Sequence, residues 1–276
     1  MIVAGERVLD MTTSDPPFAI ITGASRGIGA EYARVLAGQG YDLLLVARDE
    51  ERLTQLSHEL ETNQSIHAHV CVLDLAQPQS AHQLFVVARN YRLTPDLLIN
   101  NAGFGLYGEF VSHSLPRIQE MLHLHIQTVV ESTRLFLPGM IERGSGAIIN
   151  VSSIAGMLPM PYLAEYAATK AFLNSFSEAL AEETQSTGVH IQACCPGQTE
   201  TDFHASAGFQ PSSPISMQTA SQVVRVSLAA LQKNQTVVTI GWQGTLWSLL
   251  TNWVPKKILM KEIIRKIRPP LGLAQK

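Results

Sequence analysis

Short apolar runs alternate along the chain with longer stretches in which apolar residues recur at helical spacing. Phe18 to Ile21, Tyr41 to Ala47, Ile66 to Leu73, Leu97 to Ile99, Ala147 to Val151, Val189 to Cys195 and Val237 to Gly241 each predict a buried strand. Between them, helical spacing predicts a helix over Ala30 to Ala37 that ends at Gly38 or Gly40, and a second that opens at Arg48 to Arg52. A third starts from Pro78, a long one covers Leu115 to Leu137 and stops at Pro138 and Gly139, and the last runs over about Ser216 to Leu231. Regular alternation of strand and helix predicts an α/β protein, a doubly wound parallel sheet of about seven strands with helices on both faces. Ligands of such sheets bind outside the carboxyl ends of the strands.

The chain divides into a loose extension, residues 1–17, and a single domain over 18–276. Within that domain, 242–276 is an apolar and then basic segment. Trp242, Trp247 and Trp253 lie in its apolar part, and Pro255 to Arg268 carries six basic residues against the single Glu262. Two readings of this segment stand. Either the tryptophans cover an apolar substrate pocket or a dimer surface and the basic face is solvated, or a basic amphipathic helix makes peripheral contact with an anionic membrane. The 276 residues are 16% charged and 46% hydrophobic with a formal net charge of −3, which argues against a nucleic-acid surface and against disorder. Cys71, Cys194 and Cys195 follow no disulfide or metal-site spacing, so no metal is expected and a reducing, cytoplasmic setting is.

Chemistry concentrates where strands end. Tyr166 and Lys170 lie four residues apart, one turn of a helix, and a lysine cation beside a phenol favours the phenolate that acid-base work requires. Ser153 ends the fifth strand, where its hydroxyl can share a substrate oxygen with that phenol. After the first strand, T-G-A-S-R-G-I-G brings Gly23, Ser25, Arg26, Gly27, Ile28 and Gly29 into a turn whose missing side chains admit a pyrophosphate. The second strand ends in Ala47 and Arg48, with no carboxylate for a ribose hydroxyl. Arg26 and Arg48 therefore meet a 2′-phosphate, or else are solvated loop charges. Asp74, after the third strand, takes an adenine amino group or caps a helix. Asn101, Ala102 and Gly103 follow the fourth strand in N-N-A-G and leave room beside a cofactor. Pro196, Gly197, Thr199 and Thr201 follow the sixth.

With T-G-A-S-R-G-I-G, N-N-A-G, N-V-S-S, Y-A-A-T-K and P-G-Q-T-E-T in this order, the chain resembles the classical short-chain dehydrogenase/reductase family over roughly Phe18 to Gly241. The resemblance implies a Rossmann fold, a nicotinamide cofactor and hydride transfer to or from a carbonyl. It implies that Ser153 orients substrate, that Tyr166 is the acid-base and that Lys170 lowers the tyrosine pKa and holds the ribose. It also implies that Asn101 faces the cofactor, that Asp74 lies on the adenine side and that Thr201 holds the nicotinamide amide. One position departs from the family pattern. His125 stands where a relay asparagine is usual, either as a substitute catalytic group in the relay or as a packing residue.

The expected function is that of an NADP(H)-dependent oxidoreductase acting on a small-molecule carbonyl or alcohol, apolar to judge from Phe203, Phe209, Trp242 and Trp247. The expected assembly is a homodimer or homotetramer. The alternative is a catalytically impaired nucleotide-binding regulator of the same fold.

Overall fold

The structure is a computed structural model, and it describes residues 15–91, 94–200, 217–241 and 256–267. Seven strands form one sheet: β1 (Phe18–Thr22), β2 (Asp42–Ala47), β3 (Ala68–Val72), β4 (Leu97–Asn100), β5 (Gly146–Val151), β6 (Val189–Cys195) and β7 (Val237–Thr239). Their order is β3-β2-β1-β4-β5-β6-β7 and every pairing is parallel. The helices are α1 (Gly27–Gly38), α2 (Glu50–Asn63), α3 (Ser80–Arg89), α4 (Leu115–Leu122), α5 (Thr128–Arg143), α6 (Ala164–Glu183), α7 (Ala220–Leu231) and α8 (Lys256–Ile267). The doubly wound parallel sheet is therefore present. Period-two alternation divides its strands between two cores: Ala19, Ile21, Leu43 and Leu45 pack with residues of α1, α2 and α7. Phe18, Ile20, Leu44 and Val46 pack on the other face with Leu84 and Ala88 of α3 and Phe136, Leu137 and Met140 of α5. Strands buried on both faces read as continuous apolar runs, which explains their legibility.

The long helix expected over Leu115 to Leu137 is corrected at both ends of its logic. It is interrupted by a π-helical turn over His123–Gln127, and it continues past Pro138 to Arg143, where Gly144 ends it at φ 72°. Proline removes one hydrogen bond from the helix, but the buried face carrying Phe136, Leu137 and Met140 outweighs that loss. Gly139 is an approach point rather than a stop, because a Cβ there would lie 2.4 Å from Thr94 Oγ1. Arg143 then fastens the helix end to the loop before β4, donating to Thr94 O (3.1 Å) and Pro95 O (2.9 Å) and pairing with buried Asp96 (3.3 Å).

Candidate active site

The turn between β1 and α1 is shaped by its glycines. Gly23 and Gly27 have φ of 66° and 58°, a region that side chains strain to enter. A Cβ on Gly29 would sit 2.2 Å from Gly23 O and 2.6 Å from Asn101 Nδ2. Asn101 explains the crowding, since its Nδ2 donates to Thr22 O (2.9 Å) and Gly23 O (3.2 Å). Thr22 Oγ1 in turn accepts from the N–H groups of Asn101 (2.9 Å) and Ala102 (3.0 Å). The N-N-A-G loop thus braces the glycine turn, and the amide nitrogen of Asn101 is spent on that bracing. Arg26 stands at the N-cap of α1 without a side-chain cap bond. A helix N-terminus behind a turn that a Cβ would fill has the chemistry a pyrophosphate needs, so these residues fit a dinucleotide.

Around this turn, Arg26 and Arg48 are both exposed. The carboxylate nearest in sequence to Arg48, Asp49, caps α2 by accepting from Arg52 N (3.1 Å) and pairs with the Arg52 guanidinium (3.4 Å). Asp74 accepts from Ala76 N and Gln77 Nε2, both at 3.1 Å. It therefore closes the turn before α3 and is not that helix's cap, which is Gln79.

Ser153 leaves β5 and accepts at Oγ from Ala155 N (3.1 Å), opening a 3-10 turn over Ile154–Met157. Its hydroxyl also hydrogen-bonds the Tyr166 phenol. Lys170 is buried and its ammonium lies 5.7 Å from the centre of the Tyr166 ring, donating to Val151 O at 2.8 Å. A glycine approach, a hydroxyl hydrogen bond and a backbone hydrogen bond hold this group together. A Cβ on Gly156 would come within 2.5 Å of the Lys170 carbonyl carbon, Ser152 Oγ donates to Lys170 O (2.9 Å), and Ile154 N donates to Pro196 O (3.1 Å). The expected lowering of the phenol is not what burial produces. Desolvation pushes Tyr166 up to about 12 with the Ser153 hydrogen bond opposing it, and desolvation pulls Lys170 down to about 8.

His125 is 1% exposed, in the π-helical turn. Its Nε2 accepts from Phe104 N (3.1 Å), which leaves the proton of a neutral ring on Nδ1, facing Thr169 Oγ1 at 2.9 Å. Thr169 Oγ1 donates onward to Tyr166 O at 2.7 Å. The ring stands edge-on to Tyr166, with centroids 5.9 Å apart. Gly103 has no side chain because a Cβ there would be 2.8 Å from His125 Nε2. Burial, and secondarily Lys170, holds the imidazole well below its ordinary pKa.

After β6, Gly197 N donates to Gln218 Oε1 (3.1 Å), and Gln218 exchanges backbone hydrogen bonds with Gln198 and Glu200 around Thr199. Gln218, Gly156, Ser152 and Thr169 are site-shaping residues that sequence reasoning missed; Ser152 and Thr169 sit inside N-V-S-S and Y-A-A-T-K and Gly156 three residues past Ser153, whereas Gln218 reaches the site only through the fold. Thr201, Phe203, Phe209, Trp242, Trp247 and Trp253 lie outside the described residues. Of the basic segment, α8 is described. Its Leu259 and Ile263 are buried against Leu158, just beyond the 3-10 turn that Ser153 opens, while Lys257, Lys261 and Arg265 are exposed. No helix among the described residues is long and apolar enough to cross a membrane.

The family model for short chain dehydrogenases matches residues 17–211. A very-long-chain 3-oxoacyl-CoA reductase of Anas platyrhynchos is 37% identical over 183 residues, 65% of this chain and 58% of that protein. The ketoacyl reductase HetN of Nostoc sp. is 32% identical over 242 residues, 87% of this chain and 84% of that one. Among solved structures, a short-chain dehydrogenase from Sphingobium yanoikuyae in complex with NADPH superposes with a TM-score of 0.79 at 29% identity, covering 93% of this chain and 98% of the other. Motif order, sheet topology and these likenesses agree: the chain belongs to the short-chain dehydrogenase/reductase family.

Proposed function

We propose that this oxidoreductase is an NADP(H)-dependent reductase of apolar carbonyl compounds, with 3-oxoacyl thioesters as the substrate class. The observation that carries the reading is the group in which the half-buried Ser153 hydrogen-bonds the buried Tyr166 phenol and the buried Lys170 ammonium lies 5.7 Å from the centre of the phenol ring. A bound reduced nicotinamide would supply the hydride to the carbonyl carbon. Tyr166 holds the proton that passes to the carbonyl oxygen, and its raised pKa keeps that proton in place at neutral pH. Ser153 orients the oxygen, and Lys170 supplies positive charge next to the phenol as the proton leaves. The turn of Gly23, Ser25, Gly27, Ile28 and Gly29 would hold the pyrophosphate. Arg26 and Arg48 would hold the 2′-phosphate, and the NADPH bound to the Sphingobium relative supports that choice. Asp74 would serve the adenine side, and Ala102, Gly103, Pro196, Gly197 and Thr199 would serve the nicotinamide half. His125 acts through Thr169 on the backbone of Tyr166 as a positioning residue.

The name of the Anas relative supports the thioester, and that of the Nostoc relative supports a ketoacyl group. Consumption of NADPH against 3-oxoacyl thioesters of increasing chain length tests the reading. Turnover that rises with chain length and disappears in Tyr166→Phe, with cofactor affinity kept, is the expected result. A Tyr166→Phe variant within tenfold of the parent overturns it.

A further inference from the structure

The segment after the N-N-A-G loop carries two of the most exposed large apolar side chains in the described protein, Phe110 at 58% and Val111 at 87% exposure. Such a stretch, with only a short 3-10 turn of its own over Phe110–Ser112, has little internal structure to hold it. Among the described residues, two hydrogen bonds tie it to the few residues leading to Tyr166. Gly108 N donates to Tyr162 O at 2.9 Å. His113 Nδ1 hydrogen-bonds Glu165 Oε1, and the two side chains are only 9% and 6% exposed. Tyr162 stands at φ 64°, a strained conformation for a tyrosine that the surrounding contacts must repay. The other ring nitrogen of His113, Nε2, is buried with no hydrogen-bond partner. Burying an imidazole with one nitrogen unsatisfied is costly, so the bond at Nδ1 must outweigh that loss.

We propose that the His113–Glu165 pair is a positioning device for the reaction. It fastens segment 108–113 to the residue preceding Tyr166, and so sets the first turn of α6, from which the phenol projects. The proposal rests on Tyr166 being the proton donor. Neither residue touches the reacting atoms; they act through the backbone of α6.

Asparagine and glutamine separate the two ring nitrogens of His113. The amide nitrogen of His113→Asn falls where Nδ1 is and can still reach Glu165, whereas that of His113→Gln falls where Nε2 is. The expected result is that His113→Gln and Glu165→Leu lose about tenfold in kcat with NADPH affinity unchanged, while His113→Asn stays within about threefold of the parent. Hydrogen exchange at residues 163–167 should rise in His113→Gln and not in His113→Asn, a readout that does not need turnover. If Glu165→Leu fails to fold, the two His113 variants carry the test. Equal kcat and equal exchange in both His113 variants overturn the proposal. Loss of all carbonyl reduction in the parent protein, with the exchange difference intact, would instead fault the assigned chemistry and leave the positioning of α6 established.

Discussion

Replacing His125 by asparagine measures how the imidazole is held. In the unfolded chain a histidine titrates near pH ~6.5. In the folded protein, burial first and Lys170 second keep the ring neutral to well below that value. Below pH ~6.5 the unfolded chain therefore takes up a proton that the native protein refuses. Stability rises with pH wherever the unfolded state binds more protons, so the contribution is full above ~6.5 and drains as the pH falls through that value. For one such site the loss is about RT ln(1 + 10^(6.5 − pH)), roughly 1.4 kcal/mol at pH ~5.5 and under about 0.1 kcal/mol at pH ~7.5. Burial also depresses His69 and His190, but both are present in each protein and cancel in the comparison. Urea unfolding of the parent and of His125→Asn at the two pH values is the assay. The parent should lose about 1.4 kcal/mol more than the variant on going to the lower pH. Equal losses would mean that the folded ring accepts a proton, and the hydrogen-bond assignment through Phe104 and Thr169 would fall with it.

Three further outcomes follow from the site. Reduction needs the phenol proton and the lysine charge together; with Tyr166 near 12 and Lys170 near 8, kcat/KM should be flat below pH 8 and fall as pH rises through it. Lys170→Arg, which keeps its charge, should move that limb upward, and an unmoved limb assigns it to another group. Gly29→Ala places a methyl group 2.2 Å from Gly23 O and forces the turn open. Overpacking of this kind costs about 1–3 kcal/mol, so NADPH titration should show roughly 5- to 150-fold weaker binding in a folded protein; unchanged affinity places the cofactor elsewhere. Arg48→Ala should lower the ratio of kcat/KM for NADP(H) over NAD(H) by roughly 10- to 150-fold, the worth of a charge-assisted hydrogen bond at about 1.5–3 kcal/mol. A constant ratio returns Arg48 to the role of a solvated charge.

The strands and the glycine turn were legible because each depends on neighbours in sequence: Leu43 to Ala47 is apolar throughout, and Gly23 and Gly27 punctuate a strand-to-helix turn. Pro138 misled because a local breaker rule competes with burial contributed by the sheet, which the sequence around Pro138 does not reveal. The π-helical turn at His123–Gln127 likewise leaves no mark on apolar spacing, yet it places His125 beside α6. The phenol pKa was misjudged for the same reason, since the i to i+4 spacing of Tyr166 and Lys170 announces the cation but not the desolvation around both. His113 and Glu165 are 52 residues apart and become a pair only through the fold. In the basic segment, the two faces of α8 were visible, but not that Leu158 covers one of them.

The two strands that carry N-N-A-G and N-V-S-S are aligned by more than their ladder. Asn100 Nδ2 donates to Asn150 Oδ1 at 2.9 Å, opposite it in register, and Asn150 Nδ2 donates to Ser177 Oγ at 2.9 Å. This buried relay of amide and hydroxyl spans fifty residues between strands and another 27 to α6. A slip of one residue would leave these polar groups unpaired in the core, so the chain has a proofreading step for strand alignment. On a ribosome that check waits until Ser177 has been made, well after β1, β2 and β4 are free to associate. The nascent half-sheet should therefore be the stage most exposed to misalignment and to chaperone capture, and Asn150→Leu should lower the yield of folded protein more than its effect on the melting temperature of the survivors would suggest.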